Sequence, residues 1–207
     1  MNFQRFLPYA RKNTGSEGDT MRIRMATEAD SARLLAIYAQ YMDTAVTFEY
    51  ALPSEQEFAA RIAGVRAQYP YLICEDAGRT LGYAYAHAAW QRAAYQWCVE
   101  LSIYVDMRER GKGVGTKLYG VLQALLRAQG VKSAYACVAV PNAASEALHA
   151  RCGFTRAGVY RKAGYKNGAW HDVVWFEKIL AEHGENPAPP CPVSALSAAA
   201  WEQALRS

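Results

Sequence analysis

Three groups of residues in this sequence have types and spacing suited to chemistry. Arg110-Gly111-Lys112-Gly113-Val114-Gly115-Thr116 sets glycines between a strand-like and a helix-like run. Glycine admits a ligand close to the main chain, and the unpaired amides and dipole of a helix N-terminus favour negative charge, so this segment suits phosphate. It is neither of the common phosphate loops. GxxxxGK[ST] is absent, and the residue three after Gly113 is Thr116, with no acidic residue about 20 positions further on. Alone, the run reads equally well as a plain glycine-rich turn. The second group is Glu100, a carboxylate within an apolar alternating run, which either takes a proton from a reacting group or pairs with a cation. The third is Asn142 with Leu148, His149, Gly153 and Phe154, where His149 is either a proton donor or a histidine bonded to its helix neighbours.

The elements that must position these groups follow from periodicity. Residues 95–105 alternate, with Trp97, Val99, Leu101, Ile103 and Val105 on one face and Cys98, Glu100, Ser102 and Tyr104 on the other, as a strand requires. After the glycine run, Leu118, Val121, Leu122, Leu125 and Leu126 form a helical stripe that Gly130 closes. A strand over 134–140 leads to a helix capped by Asn142 and ended by Gly153. Two last strands, about 155–161 and 172–178, flank the hairpin signal Asn167-Gly168. Upstream, Thr27 and Asp30 resemble a capping box before Leu34, Leu35, Tyr38, Tyr41 and Met42, and a second helix runs from about Ser54 to Gln68. Strands over 71–75 and 81–87 join at Asp76-Ala77-Gly78, and a short strand is expected at Arg22-Ile23-Arg24. This order predicts an α/β fold, a mixed central sheet flanked by helices. Residues 22–180 form the predicted domain, with an N-terminal extension over 1–21 and a C-terminal tail over 181–207.

Composition bounds the partners. At 207 residues and 52% hydrophobic, the chain can build one full core. The net charge of +4 is spread along the sequence, which requires a few ligand phosphates and no nucleic acid. No stretch approaches the roughly 20 apolar residues of a membrane span, and the N-terminus lacks a signal peptide's apolar segment, so the expectation is a cytoplasmic protein. Five cysteines without a CxxC pair and four scattered histidines predict neither zinc nor disulfides, with Cys74, Cys98 and Cys137 read as small core hydrophobes.

The spacing Arg110-x-x-Gly113-x-Gly115, together with Asn142, Leu148, Gly153 and Phe154, resembles the GCN5-related N-acetyltransferase superfamily. The stretches 95–105, 141–149 and 163–173 are similar to its phosphinothricin and methionine sulfone/sulfoximine acetyltransferase branch, over roughly residues 22–178. The resemblance implies acetyl-CoA as cosubstrate and no metal, with acetyl transfer to the α-amine of a small amino-acid-like acceptor. It places the CoA pyrophosphate on Arg110, Gly111, Lys112, Gly113, Val114, Gly115 and Thr116, and further CoA contacts on Ile103, Tyr104, Val105 and Asn142. It makes Glu100 the general base and His149, where a tyrosine commonly stands, the donor to the departing thiolate. Arg92 either grips an acceptor carboxylate or is a solvated loop arginine, and Tyr95, Trp97 and Phe48 either wall the acceptor pocket or pack into the core. Position 96 is Gln where herbicide-inactivating members carry Asp, and the segment from Trp90 to Tyr95 is one residue short. The resemblance also implies a homodimer. A protein or peptide N-acetyltransferase and a noncatalytic acyl-CoA-binding regulator are the alternative readings.

Overall fold

The computed structural model describes residues 21–207; the N-terminal extension expected at 1–21 lies outside the described residues except for Met21. A seven-stranded mixed sheet runs in the order β1-β2-β3-β4-β5-β7-β6. Its strands are β1 (Arg22–Met25), β2 (Tyr71–Asp76), β3 (Arg79–Ala88), β4 (Cys98–Val105), β5 (Ser133–Val140), β6 (Thr155–Lys166) and β7 (Ala169–Ile179). Helices α1 (Ser31–Ala39) and α2 (Glu55–Arg66) cover one face, α3 (Val114–Gln129) the other, and α4 (Ala143–Arg151) follows β5.

The alternating pattern of β4 works as the sequence predicts. Val99 and Leu101 are buried with the α3 residues Leu118, Leu122 and Leu125, the apolar stripe seen in the sequence. Glu100, Ser102 and Tyr104 project to the opposite face. There Tyr38 and Tyr41 meet Tyr104 edge-on, at 5.0 and 5.3 Å between ring centres. Neighbouring strands pair antiparallel except β4 and β5, which run parallel and pair only from Cys98↔Ser133 to Glu100↔Tyr135. Past Glu100 the two diverge, because β4 stays with β3 to Val105 while β5 stays with β7 to Val140. The sheet forks at Glu100.

Several boundaries differ from the sequence reading. β4 begins at Cys98, because Ala93–Tyr95 closes a tight 3-10 turn and leaves Trp97 outside the strand. The first helix is a 3-10 turn (Glu28–Asp30) followed by α1, and Tyr41 and Met42 lie in the turns beyond it. β6 and β7 extend to Asn167-Gly168, whose φ values of 53° and 77° fit a primed two-residue hairpin and carry the ladder to its tip. Cys74 is buried, whereas Cys137 is exposed: Ala136 and Val138 take the core side of β5, so Cys137 faces the fork.

The segment set apart as a tail packs against the domain. Its short helix α5 (Ala198–Ala204) lies on α3, with Val193 and Ala204 buried. Gln129 Nε2 donates to the carbonyls of Gln68 and Cys191 at 2.7 and 2.8 Å, tying α3, the end of α2 and the tail together.

Candidate active site

The chain's densest set of predicted site residues surrounds a cleft of about 310 Å³ at the open end of the fork. One wall is the diverging edge of β4, through Ile103 and Val105; the second is the Arg110–Thr116 loop; the third is one face of α4. Gly113 adopts φ 85° and Gly111 φ 76°, backbone that favours glycine, and a Cβ built on either would meet no atom within 4 Å. The space above the loop is therefore open. The first intrahelical bond of α3 runs from the Lys117 amide to the Gly113 carbonyl at 3.0 Å, so the amides just before it have no helical partner. Open space over orphan amides at a helix N-terminus fits a pyrophosphate. Gly115 serves packing instead, because its Cβ would lie 3.1 Å from Leu148 Cδ2 and the missing side chain lets α3 and α4 approach.

Arg110 lines the cleft with its guanidinium 5.1 Å from the Tyr41 ring centre. Lys112 turns to Glu109, Nζ to Oε2 2.9 Å, and is not among the lining residues. Asn142 caps α4 by accepting from the Ser145 amide at 3.2 Å, and borders both this cleft and a smaller cavity of about 60 Å³ inside the fork. Ile103 lines both cavities, Tyr104 only the inner one and Val105 only the outer. Tyr41 donates to the Val105 carbonyl at 2.5 Å, bracing the end of β4.

The sequence reading passed over Tyr41, Val46, Ala144, Ala147 and Arg151 as site residues, and these also line the cleft with Leu148 of the second motif. The α4 residues fall at helical spacing, so their shared face was legible once Asn142 was placed as the cap. Val46 belongs to a loop with no periodic signal.

Glu100 is half-buried at the fork, opposite His87 of β3 and Tyr135 of β5. Burial pushes its carboxyl above the ordinary range, and the charge of His87 opposes that shift. The inner cavity, lined by Ser102 and Cys137 of the same face, shares Ile103, Asn142 and Ser145 with the cleft, and Glu100 lines neither of the two.

His149 stands differently from the expected proton donor. It is 2% exposed and stacks on Phe176 at 5.3 Å. A carbonyl can only accept, so Nδ1 carries the proton bonded to the Ser145 carbonyl at 2.8 Å, and Nε2 accepts from the Tyr119 hydroxyl at 3.1 Å. Burial lowers its pKa, against the Ser145 hydrogen bond that raises it. His149 lines the inner cavity, but both of its nitrogens are engaged, with Ser145 and Tyr119, and it joins α3, α4 and β7.

The four expected acceptor-pocket residues separate. Phe48 lies on Gly164 of β6, where an added Cβ would come within 2.3 Å of its ring, and 6.1 Å from the His171 ring. Tyr95 is exposed and leans on Trp90 at 4.9 Å. Arg92 caps the 3-10 turn and is exposed. Trp97 is committed elsewhere, its indole N–H donating to the Ala188 carbonyl at 2.9 Å and anchoring the C-terminal segment.

A forked mixed sheet with a glycine loop opening α3 and a cleft along the fork defines a site suited to a phosphorylated ligand. Residues 23–175 match the acetyltransferase (GNAT) domain model, and the chain belongs to that family. It is an acetyl-CoA-dependent N-acetyltransferase. The chain is 39% identical to the phosphinothricin N-acetyltransferase of Streptomyces viridochromogenes, over 84% of this chain and 93% of that protein. It is 36% identical to the L-methionine sulfoximine/L-methionine sulfone acetyltransferase of Pseudomonas paraeruginosa, over 76% of this chain and 94% of the other. A Sinorhizobium meliloti phosphinothricin acetyltransferase solved with acetyl-CoA superposes with a TM-score of 0.78 at 32% identity, covering 84% of this chain and 99% of that one.

Proposed function

We propose that this chain acetylates the α-amine of a small amino-acid-like acceptor of the phosphinothricin or methionine sulfone/sulfoximine type, with Glu100 as general base. The observation that carries this reading is the place of Glu100: a half-buried carboxylate at the residue where β4 and β5 part, on the same face of β4 as Ser102, which lines the inner cavity. Acetyl-CoA supplies the activated acetyl thioester, held along Arg110–Thr116, Ile103, Val105 and Asn142. Glu100 takes the proton of the incoming amine, and burial makes it a stronger base than an exposed glutamate. The edge of β4 beyond Glu100, unpaired with β5, offers main-chain amides where charge develops on the thioester oxygen.

A small acceptor is favoured over a peptide by the covering of the open face. The loop around Phe48 is latched to the β6–β7 hairpin: Lys166 Nζ donates to the Thr47 carbonyl at 2.7 Å, Asn167 to Asp43 at 3.0 Å, and the Tyr50 hydroxyl to the Tyr165 carbonyl. We assign Arg92 and Tyr95 to the acceptor's entrance, with Phe48 as a wall. A cytoplasmic setting suits five free cysteines and an acetyl-CoA substrate. Tyr160, Tyr165 and Trp170, exposed on the terminal hairpin, support a homodimer through that edge. The test is a screen of free amino acids, L-phosphinothricin, L-methionine sulfone and an N-terminal peptide with acetyl-CoA, followed by thiol release. Turnover confined to amino-acid acceptors is expected; turnover of the peptide alone would contradict the reading.

A further inference from the structure

We propose that His87 is the outlet for the proton that Glu100 collects, a positioning residue that acts through Glu100 and returns the base to its working state. The proposal rests on the reading of Glu100 as base.

Net acetylation of an ammonium acceptor makes an outlet necessary. The C–N bond forms, the C–S bond breaks and its electron pair leaves on sulfur. Of the two protons the nitrogen loses, one ends on the thiol and one must leave the site at every turnover. Glu100, half-buried between β3 and β5, needs a neighbour to pass it on.

His87 is placed for that role. It is the direct cross-strand partner of Glu100 in the β3–β4 ladder, so the two side chains rise side by side on the same face. Its Nδ1 lies 3.1 Å from the Ala88 carbonyl, which fixes Nδ1 as the protonated nitrogen and leaves Nε2 as the basic one. The ring is half-exposed near the end of β3, so a proton reaching Nε2 can pass to solvent. The other groups facing Glu100 are poor carriers near neutral pH. Tyr85 of β3 and Tyr135 of β5 are phenols whose pKa burial raises, the Cys137 thiol of β5 is pushed up to about 11, and Ser102 of β4 is a neutral hydroxyl. Imidazole is the side chain suited to exchange protons there. The step is Glu100 carboxylic acid to Nε2, directly or through one solvent molecule, then imidazolium to bulk.

The test compares His87→Ala, Glu100→Gln and the unaltered protein in single- and multiple-turnover assays with acetyl-CoA and L-methionine sulfone, at pH 7.5 and low buffer. The expected result for His87→Ala is a drop in kcat of about 5- to 20-fold, smaller than loss of a positioned base, with the KM for acetyl-CoA and the melting temperature nearly unchanged. Added imidazole should restore kcat, and sodium chloride at equal ionic strength should not. A His87→Ala protein with unaltered kcat, or one whose loss imidazole leaves in place, overturns the outlet while an impaired Glu100→Gln keeps the base. A Glu100→Gln protein with full kcat overturns both.

Discussion

A carboxylate works as a base when its surroundings raise its proton affinity without trapping it in an ion pair. Among the described residues Glu100 meets both conditions, with burial raising its pKa and a half-exposed histidine opposing the shift. Activity that depends on its carboxylate form should fall as pH drops through that raised value, so the acid limb of kcat/KM is expected above the ordinary 4.5; a limb at or below 4.5 would argue against it. For the acceptor, Arg92→Ala should weaken amino acids far more than their decarboxylated amines, since only the former present a carboxylate, and equal losses would contradict that role. The face on which Glu100 lies was legible in the alternation of residues 95–105. The engagement of His149 was not: its partners Tyr119 and Phe176 come from α3 and β7, and only tertiary packing brings them together. Trp97 escaped for the same reason, because its acceptor, Ala188, is 91 residues away.

Elements carry the ligand geometry. Gly113→Asp places a side chain at φ 85° and negative charge where the pyrophosphate approaches. The strain should cost roughly 1–2 kcal/mol, which thermal melting can read. Acetyl-CoA at about 100 times its Kd stabilises a native state by about 2.7 kcal/mol, and that thermal shift should disappear in the variant. A retained shift would dissociate the loop from CoA. On the opposite edge, Arg24 binds Asp30 through two bonds of 2.8 Å and reaches Glu75 at 2.6 Å, joining β1, the turn before α1 and β2. Arg24 holds the Asp30 carboxyl well below its ordinary 3.8. A depressed carboxylate stabilises the fold above its unfolded value and loses that contribution as pH falls through the folded one. Asp30→Asn should therefore cost roughly 1.5–3 kcal/mol at pH 7, with the deficit shrinking below pH 3.8; a deficit constant with pH would assign the effect to packing. The helices and the hairpins at Ala77-Gly78 and Asn167-Gly168 were readable from caps, stripes and turn residues. The fork was not, because the register of β4 against β5 depends on which neighbour each strand follows after residue 100.

At the scale of the molecule, the 181–207 segment belongs to the packed body even though its proline-rich start reads as an appendage. Leu196 and Trp201 lie against the main core, a contact no local pattern announces in so short a helix. The terminal hairpin is the outward-facing apolar edge, and the proposed homodimer should appear as twice the 22.9 kDa chain mass in light scattering, with Trp170→Glu shifting it toward monomer. A monomer mass across micromolar concentrations would contradict that assembly. The central claim, acetyl transfer to an amino-acid amine with Glu100 as base, is tested most directly by the pH–rate profile of Glu100→Gln with L-methionine sulfone under conditions where chemistry limits the rate. The expected result is a loss of roughly 10²- to 10⁴-fold at neutral pH that narrows as rising pH supplies neutral amine, with acetyl-CoA binding intact. Unaltered turnover of the variant at neutral pH would contradict it.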